Sequence, residues 1–310
     1  MKKSFILIVS IFCCLSIISA QKNQNYTLSS PNGKIQIIVD ASVKLQWSVK
    51  FGQTQILKPS EISMKLGDGL IMGDAAKVVS STIENVDKKI NALNYKKAII
   101  TDQYKQLSLA FKGDYGIIFR AYNDGVAYRF YTKKKGEITI LSEEANFIFE
   151  KDENIYIPYV NNPEYDKYQC SFENLYQYLP LSKINKDTIA FAPVLVDFSN
   201  GMKVAITEAD LEDYPGMFLK AGKENYTLSG DFAAYPLSEL EGGHNNLQAF
   251  VTKRADYLAK TAGTRNFPWR VIIISEQDKE LLNNDMVYKL ASTSRIADVS
   301  WIKPGKVAWD

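Results

Sequence analysis

Polar and apolar residues alternate along much of the chain, which is the pattern of strands that bury one face. The segment 44–51 alternates throughout its length. Similar runs begin near Ile35, Leu107, Val194 and Ile272. The clearest hairpin signal is 117–130, where Asn123–Gly125 interrupts two strand-like halves with residues that tolerate a positive φ. The pattern therefore predicts many short strands joined by tight turns.

No regular alternation of strands and helices accompanies these runs, so a parallel sheet is not expected. We predict an all-β fold, a large antiparallel β-sandwich over 21–274. The period changes at Ser275–Asp278, which resembles a helix start. Leu282, Met286 and Leu290 then recur on one helical face. This spacing predicts a single linker helix of about three to four turns within 275–300.

The two ends of the chain carry separate signals. Lys2 and Lys3 precede an apolar stretch over 5–18 and the small residues Ser19–Ala20, which is the pattern of a signal peptide over 1–20. We expect export to the periplasm, with no membrane anchor after cleavage. The strand-like segment 301–310 needs a pairing partner, and we interpret it as the truncated start of a further domain.

Composition narrows the classes of function. The 37 Lys and Arg residues nearly balance the 35 Asp and Glu residues, and they form no long basic block. Binding to nucleic acid or to an acidic membrane is therefore not expected. The 18 tyrosines suit stacking on sugar rings, although they suit strand packing equally well. Once a signal peptide is removed, Cys170 is the single remaining cysteine, so the mature chain has no internal disulfide.

The first candidate site is the polar segment 161–166, which follows a strand-like run. Pro163 stiffens the turn and places Asn161 and Glu164 three positions apart. Amide and carboxylate oxygens are the hard ligands that calcium prefers, although calcium needs six to eight of them. A solvated turn is the alternative interpretation of the same residues.

A second candidate is the acidic segment that follows Ile206. Glu208 and Asp210 have the same strand parity as Ile206 and would point toward the apolar side, where carboxylates need partners. They could bind substrate or act as an acid–base pair of the kind that glycoside hydrolysis uses. An exposed acidic loop is the alternative.

The third candidate is Trp269–Arg270, placed just before an apolar strand. Arg270 could clamp a carboxylate, and Trp269 could stack on a sugar or on a neighbouring domain. A structural corner between domains is the competing interpretation. His244, the single histidine, lies in a Gly-rich polar loop. We expect it to be exposed, and one histidine excludes a multi-histidine zinc site.

Together these segments resemble glycoside hydrolase family 97, bacterial α-glucosidases and α-galactosidases. The motifs that carry the resemblance are Ser30–Gly33, Asn123–Arg129, Glu164–Asp166, Glu208–Ala209, Pro268–Arg270 and Trp301–Pro304. Each motif is common by itself, but their order and spacing are specific. The resemblance implies a galactose-mutarotase-like β-super-sandwich, a linker helix and a catalytic (β/α)₈ barrel.

The resemblance also implies a function. It implies a secreted, calcium-dependent α-glycosidase that acts on α-linked oligosaccharides in polysaccharide utilisation. Its calcium ion would be held mostly by barrel glutamates, with Glu164 as the ligand from the sandwich and Asn161 as a further one. The catalytic carboxylates would belong to the missing catalytic domain, so the chain alone is expected to be inactive.

Two hypotheses from other classes remain. The chain could be a free-standing carbohydrate-binding module without hydrolytic activity. It could also be a sugar mutarotase, but such enzymes usually need a histidine and a carboxylate in the sandwich cleft. The position of His244 in a Gly-rich loop argues against the mutarotase hypothesis.

Overall fold

The computed structural model describes residues 24–160, 166–169, 172–303 and 305–306. The proposed signal peptide, the candidate ligands Asn161 and Glu164, and the terminal segment 307–310 lie outside the described residues. The first ten strands are β1 Asn25–Ser29, β2 Ile35–Asp40, β3 Gln46–Phe51, β4 Thr54–Leu66, β5 Ile71–Met72, β6 Val78–Asn91, β7 Ile99–Phe111, β8 Tyr115–Tyr122, β9 Gly125–Ile148 and β10 Asn154–Ile157.

Ten further strands and two short helices complete the described chain. The strands are β11 Gln177–Pro180, β12 Ala190–Phe191, β13 Val194–Asp197, β14 Lys203–Ala209, β15 Met217–Ala221, β16 Thr227–Phe232, β17 Pro236–Gly242, β18 Gln248–Arg254, β19 Ala259–Asn266 and β20 Trp269–Ser275. The helices are α1 Asp278–Leu282 and α2 Met286–Leu290, and 3₁₀ turns occur at Leu181–Lys183 and His244–Asn246. Within the described ranges, no helix is long and apolar enough to cross a membrane.

Strand β9 belongs to both layers of the sandwich. Its first residues pair with β8 and β20, and through β20 with β14, β13, β10 and β11. Its last residues pair with β4 and β16, which continue into β3, β2 and β1 on one side and into β15 and β12 on the other. Every strand pairing of the described residues is antiparallel, as the alternating pattern predicts.

The core lies between these two layers. Trp47 on β3 is fully buried, and its ring centroid is 4.9 Å from that of Tyr128 on β9 and 6.2 Å from that of Phe119 on β8. Aromatic contacts thus join the two layers of the sandwich. The predicted hairpin over 117–130 is confirmed, because β8 ends at Tyr122 and β9 begins at Gly125.

The linker is not the single helix that the periodicity predicts. Helix α1 begins at Asp278, after the predicted start, but it ends at Leu282, and α2 begins at Met286. The amide oxygen of Asn284 accepts a hydrogen bond from the backbone N–H of Met286 at 3.0 Å. Asparagine side chains compete in this way for backbone groups and favour helix ends. Leu282 is consequently 80% exposed, whereas Met286 is fully buried.

The turn between β6 and β7 holds the break between the two helices. The Nζ of Lys96 donates to the carbonyl oxygens of Leu282 and Asn284, both at 2.8 Å. Lys97 donates to the carbonyl oxygen of Asn283 at 2.8 Å and to the carboxylate of Asp285. These ammonium groups satisfy carbonyls that a helix end leaves without partners. The β6–β7 turn therefore fixes the course of the linker.

The hairpin of β17 and β18 stands apart from the large sheet. These strands pair with each other and, among the described residues, with no other strand. The 3₁₀ turn His244–Asn246 forms the tip of this hairpin, and His244 is exposed there as expected.

Candidate functional site

A buried ionic network lies where β14 and β20 pair at one end of the sandwich. Arg270 is 1% exposed and lies directly opposite Glu208 in the strand register. Its Nη1 donates to Glu208 Oε2 at 2.7 Å. Its Nε and Nη2 donate to the two oxygens of Glu143 on β9, each at 2.7 Å. Arg270 thus clamps two carboxylates, one of them in bidentate geometry.

The members of the network offset the cost of one another's burial. Burial by itself lowers the pKa of Arg270, but Glu143 and Glu208 outweigh this effect, and the pKa is raised. Burial raises the pKa of Glu208, while Arg270 opposes that shift. The ring of Phe232 lies 4.9 Å from the guanidinium carbon. These groups are engaged with one another, which makes the network a positioning element rather than a free acid and base.

Glu208 also fixes the loop that follows β14. Its Oε1 accepts a hydrogen bond from the backbone N–H of Met217 at 2.9 Å, at the start of β15. A Cβ added at Gly216 would lie 3.2 Å from the same Oε1. The loop 210–216 therefore packs tightly against the ionic network.

Asp210 lies on a different side of this region from Glu208. It follows the end of β14 with a φ of 60°. Its carboxylate pairs with Arg129 at 2.9 Å and accepts hydrogen bonds from the backbone and hydroxyl of Ser292 at 2.7 and 2.9 Å. The two predicted carboxylates thus have separate partners: Glu208 contacts Arg270, whereas Asp210 contacts Arg129 of the sandwich and Ser292 of the linker. Substrate contact by either residue stays a prediction.

Trp269 faces the linker side of β20. It is fully buried in a cluster with Met286 and Leu290 of α2. The guanidinium carbons of Arg120 and Arg129 lie 4.7 and 4.4 Å from the centroid of its ring. Cation–π contacts of this kind add to the burial of the indole. Trp269 therefore packs under the linker. Contact of Trp269 or Arg270 with a further domain stays a prediction.

The segment 166–169 lies beside the candidate ligand loop and is anchored at several points. Arg254 Nε donates to Asp166 Oδ2 at 2.6 Å. The hydroxyl of Tyr168 donates to Asp231, which also pairs with Lys167 and Lys220. The carboxylates of Asp166 and Asp231 are therefore already neutralised by basic groups.

These pairings bear on a calcium ion at the loop. Among the described residues, no group of three or more His, Cys, Asp or Glu side chains could hold a metal ion. Asp166 is engaged by Arg254, so it offers little to a cation. The donor types of Asn161 and Glu164 fit calcium, but these residues lie outside the described chain. Further oxygens would have to come from elsewhere.

Sequence reasoning found Glu208 and Arg270 but missed Glu143 and Arg129. Glu143 has the same strand parity as the buried Ala145 and Phe147, and that shared parity is a signal that it points inward. Arg129 lies in the predicted hairpin, but its partner Asp210 is 81 residues away in the sequence. No local pattern indicates that pair.

Comparisons with known proteins agree with this architecture. A family model described as Glycosyl-hydrolase 97 N-terminal matches residues 28–292. A retaining α-galactosidase of Bacteroides thetaiotaomicron is 40% identical over 100% of this chain and 47% of its own length. A probable retaining α-galactosidase of Streptomyces bingchenggensis is 24% identical over 91% of this chain and 39% of its own length. The chain thus spans about half, or less, of the length of these relatives.

A solved structure shows the same fold. It is a variant of a Glycoside Hydrolase Family 97 enzyme from Pseudoalteromonas sp. strain K8 in complex with panose. It superposes with a TM-score of 0.75 at 21% identity, over 90% of this chain and 40% of that one. The resemblance drawn from the sequence motifs is confirmed, and the chain belongs to glycoside hydrolase family 97, whose N-terminal domain it carries.

Proposed function

We propose that this chain is the N-terminal, carbohydrate-associated domain of an exported, calcium-dependent α-glycosidase that hydrolyses terminal α-linked sugars. The family match over 28–292 carries the proposal. The two curated relatives described above are named as retaining α-galactosidases, one of them as probable. An α-galactoside is therefore the first substrate to test, and an α-glucoside is the second.

The catalytic carboxylates are proposed to lie in a barrel domain outside the 310 residues. Two observations support this division. The carboxylates of the buried network are already paired with Arg270. The relatives also extend well beyond the matched part, since the chain spans only 47% of the first. The chain alone is accordingly proposed to be inactive.

The proposed ligand is an α-linked oligosaccharide. Support comes from the Pseudoalteromonas enzyme, which has the same fold in the matched region and was solved with panose and with acarbose. In this chain the sandwich would present its loops to the sugar and to the barrel. A free-standing carbohydrate-binding module is the alternative.

Calcium is proposed as the cofactor, with Glu164 and Asn161 as the ligands that the sandwich supplies. A divalent ion at such a place orients sugar hydroxyls and offsets the repulsion between clustered carboxylates. Two oxygens are too few for a tight site. The isolated chain is therefore expected to bind calcium weakly at most.

A domain exchange tests the proposal directly. The 310-residue chain is assayed on p-nitrophenyl α-galactoside and α-glucoside, and it is also joined to the remainder of the Bacteroides relative in place of that enzyme's matched part. We expect no turnover by the chain and clear α-galactoside hydrolysis by the chimera. Turnover by the pure chain would overturn the claim of inactivity. A folded chimera without activity would favour the binding-module alternative.

A further inference from the structure

A cavity opens beside the buried ionic network, between the loop after β14 and the start of β19. Its volume is about 650 Å³, and its lining includes Asp213, Tyr214, Pro215, Tyr235, Arg254 and Thr261. Sites for small molecules commonly measure about 300 to 1,000 Å³ and combine apolar walls with a few polar groups. The size and lining of this cavity match that description.

One wall is an exposed aromatic ring in a fixed position. Tyr235 is 48% exposed, and its ring stacks on Tyr257 with centroids 5.7 Å apart and planes at 26°. Its backbone N–H donates to the carbonyl oxygen of Tyr257 at 2.9 Å, and its own carbonyl accepts from Ala255 at 2.8 Å. A tyrosine held in this way gives a large contact surface at a low cost in conformational entropy.

Another part of the cavity wall is formed by residues of the loop 210–216. Tyr214 packs edge-on against Phe267 and Phe232, at centroid distances of 5.6 and 6.3 Å. The guanidinium of Arg265 donates to the carbonyl oxygens of Glu212 and Asp213 at 2.6 and 3.1 Å. The ionic network anchors the end of the same loop through Met217. The wall is therefore preorganised before any ligand arrives.

Hydrogen-bond donors and acceptors both line the cavity. Arg254 uses Nε and Nη1 for Asp166 and the carbonyl of Ala234, and neither of these contacts uses Nη2. Within the described ranges, the carboxylate of Asp213 makes no hydrogen bond, and its charge interacts with that of Arg265. A carboxylate acceptor and a guanidinium donor match neighbouring sugar hydroxyls, which both donate and accept.

We infer that this cavity binds one pyranose unit of an α-linked oligosaccharide, with an apolar sugar face on Tyr235 and hydroxyls on Asp213 and Arg254. Stacking on a fixed aromatic ring supplies the apolar contact. The polar pair orients the sugar. The choice of ligand rests on the proposed function, whereas the cavity and its walls do not.

The test is calorimetric titration of the 310-residue chain with maltotriose and, separately, with melibiose. We expect saturable binding of at least one of these sugars. Tyr235→Ala should weaken it about tenfold, which is the loss of one good stacking contact. Asp213→Asn should also weaken it, because asparagine tolerates the φ of 46° at this position but removes the charge. Thermal unfolding confirms that each variant is folded.

Tyr178 on β11 provides a matched control, since it is 51% exposed and lies outside the cavity lining. Tyr178→Ala should leave the affinity unchanged. Absence of binding by the folded chain, or an equal loss in both tyrosine variants, would overturn the inference. Hydrolysis by the chimera is a separate readout, so an active chimera combined with a chain that binds no sugar would reject this site and keep the proposed function.

Discussion

Arg270 donates parallel hydrogen bonds from Nε and Nη2 to the two oxygens of Glu143, each at 2.7 Å, although 127 residues separate the two positions in the chain. A third bond from the same guanidinium reaches Glu208 at 2.7 Å. One arginine therefore joins β20, β9 and β14 inside the sandwich. The family motif that contains Arg270 has a structural reason for an arginine at this position.

The first prediction concerns removal of this arginine. Arg270→Leu should lower the free energy of unfolding by about 3–5 kcal/mol, because it leaves Glu143 and Glu208 buried without a counter-ion. Urea unfolding monitored by circular dichroism measures the change. Arg270→Lys should recover only part of the loss, since an ammonium group cannot make the bidentate contact.

Arg295 provides the control for this prediction. It pairs with Glu212 at 3.0 Å, and the two side chains are 82% and 47% exposed. Arg295→Ala should cost less than about 1 kcal/mol. Equal costs at the two arginines would contradict the importance assigned to burial.

The second prediction concerns Asp210, which connects the sandwich to the linker through Ser292. Asp210→Ala should speed hydrogen exchange at the amide of Ser292, because that N–H loses its acceptor. Asp210→Asn should speed this exchange less than Asp210→Ala does, since asparagine keeps an acceptor and tolerates the φ of 60°. Exchange mass spectrometry of 291–296 resolves the two variants. Unchanged exchange in both would contradict the assigned contact.

The third prediction concerns the β6–β7 turn. Replacing Lys96 and Lys97 together by methionine should speed exchange over 282–291, because the linker carbonyls and the nearly buried Asp285 lose their cationic partners. Lys89→Met on β6 is the control, since Lys89 is exposed and, among the described residues, makes no hydrogen bond or ion pair with the linker. If the control has the same effect as the double variant, general loss of positive charge would be the cause.

The fourth prediction concerns acid stability at Asp231. Burial by itself raises the pKa of this carboxyl, but hydrogen bonds from Lys220 and Tyr168 outweigh it, and the pKa lies below its usual 3.8. Its stabilisation is therefore present above pH 3.8 and is lost as the pH falls through the lower folded-state value. Asp231→Asn should lower stability near neutral pH by about 1–3 kcal/mol.

The decisive measurement for Asp231 is the difference in unfolding free energy between the two proteins as a function of pH. That difference should shrink as the pH falls below 3.8, because the native carboxylate becomes protonated. A difference that stays constant down to pH 2 would contradict the lowered pKa.

The fifth prediction concerns calcium and uses the chimera. Glu164→Gln should weaken calcium activation of hydrolysis by about tenfold, because the amide removes a charged ligand. The measurement is activity against free calcium concentration after treatment with a chelator. Glu173→Gln is the control, since Glu173 is exposed and close to Glu164 in the sequence. Identical calcium curves for both variants would refute the role assigned to Glu164.

The sequence predicts the sandwich well because alternation is a local property of each strand. The run 44–51 contains β3, which begins at Gln46, and the turn at Asn123–Asp124 joins β8 to β9. The linker prediction was wrong, because the linker forms two short helices rather than one, and Leu282 does not share the buried face of Met286. The break depends on Lys96 and Lys97, which are almost 190 residues away, so helical periodicity carries no sign of it.

The candidate site is only partly readable from the sequence for the same reason. Parity correctly indicates that Glu208 points inward, and Arg270 is recognisable as a clamp for a carboxylate. Parity fails for Asp210, because the strand ends at Ala209 and the φ of Asp210 turns positive. Pairs such as Arg270 with Glu143 depend on strand order, which a single sequence does not encode locally.

The side chain of Gln169 has a consequence for the isolated hairpin of β17 and β18. Its amide donates to the carbonyl oxygen of Ala249 at 2.6 Å and accepts from the backbone N–H of Val251 at 3.0 Å. These are the donor and acceptor that an exposed edge strand would offer to a second protein molecule. One glutamine thus occupies the backbone donor and acceptor in the middle of β18, to which another strand would otherwise pair.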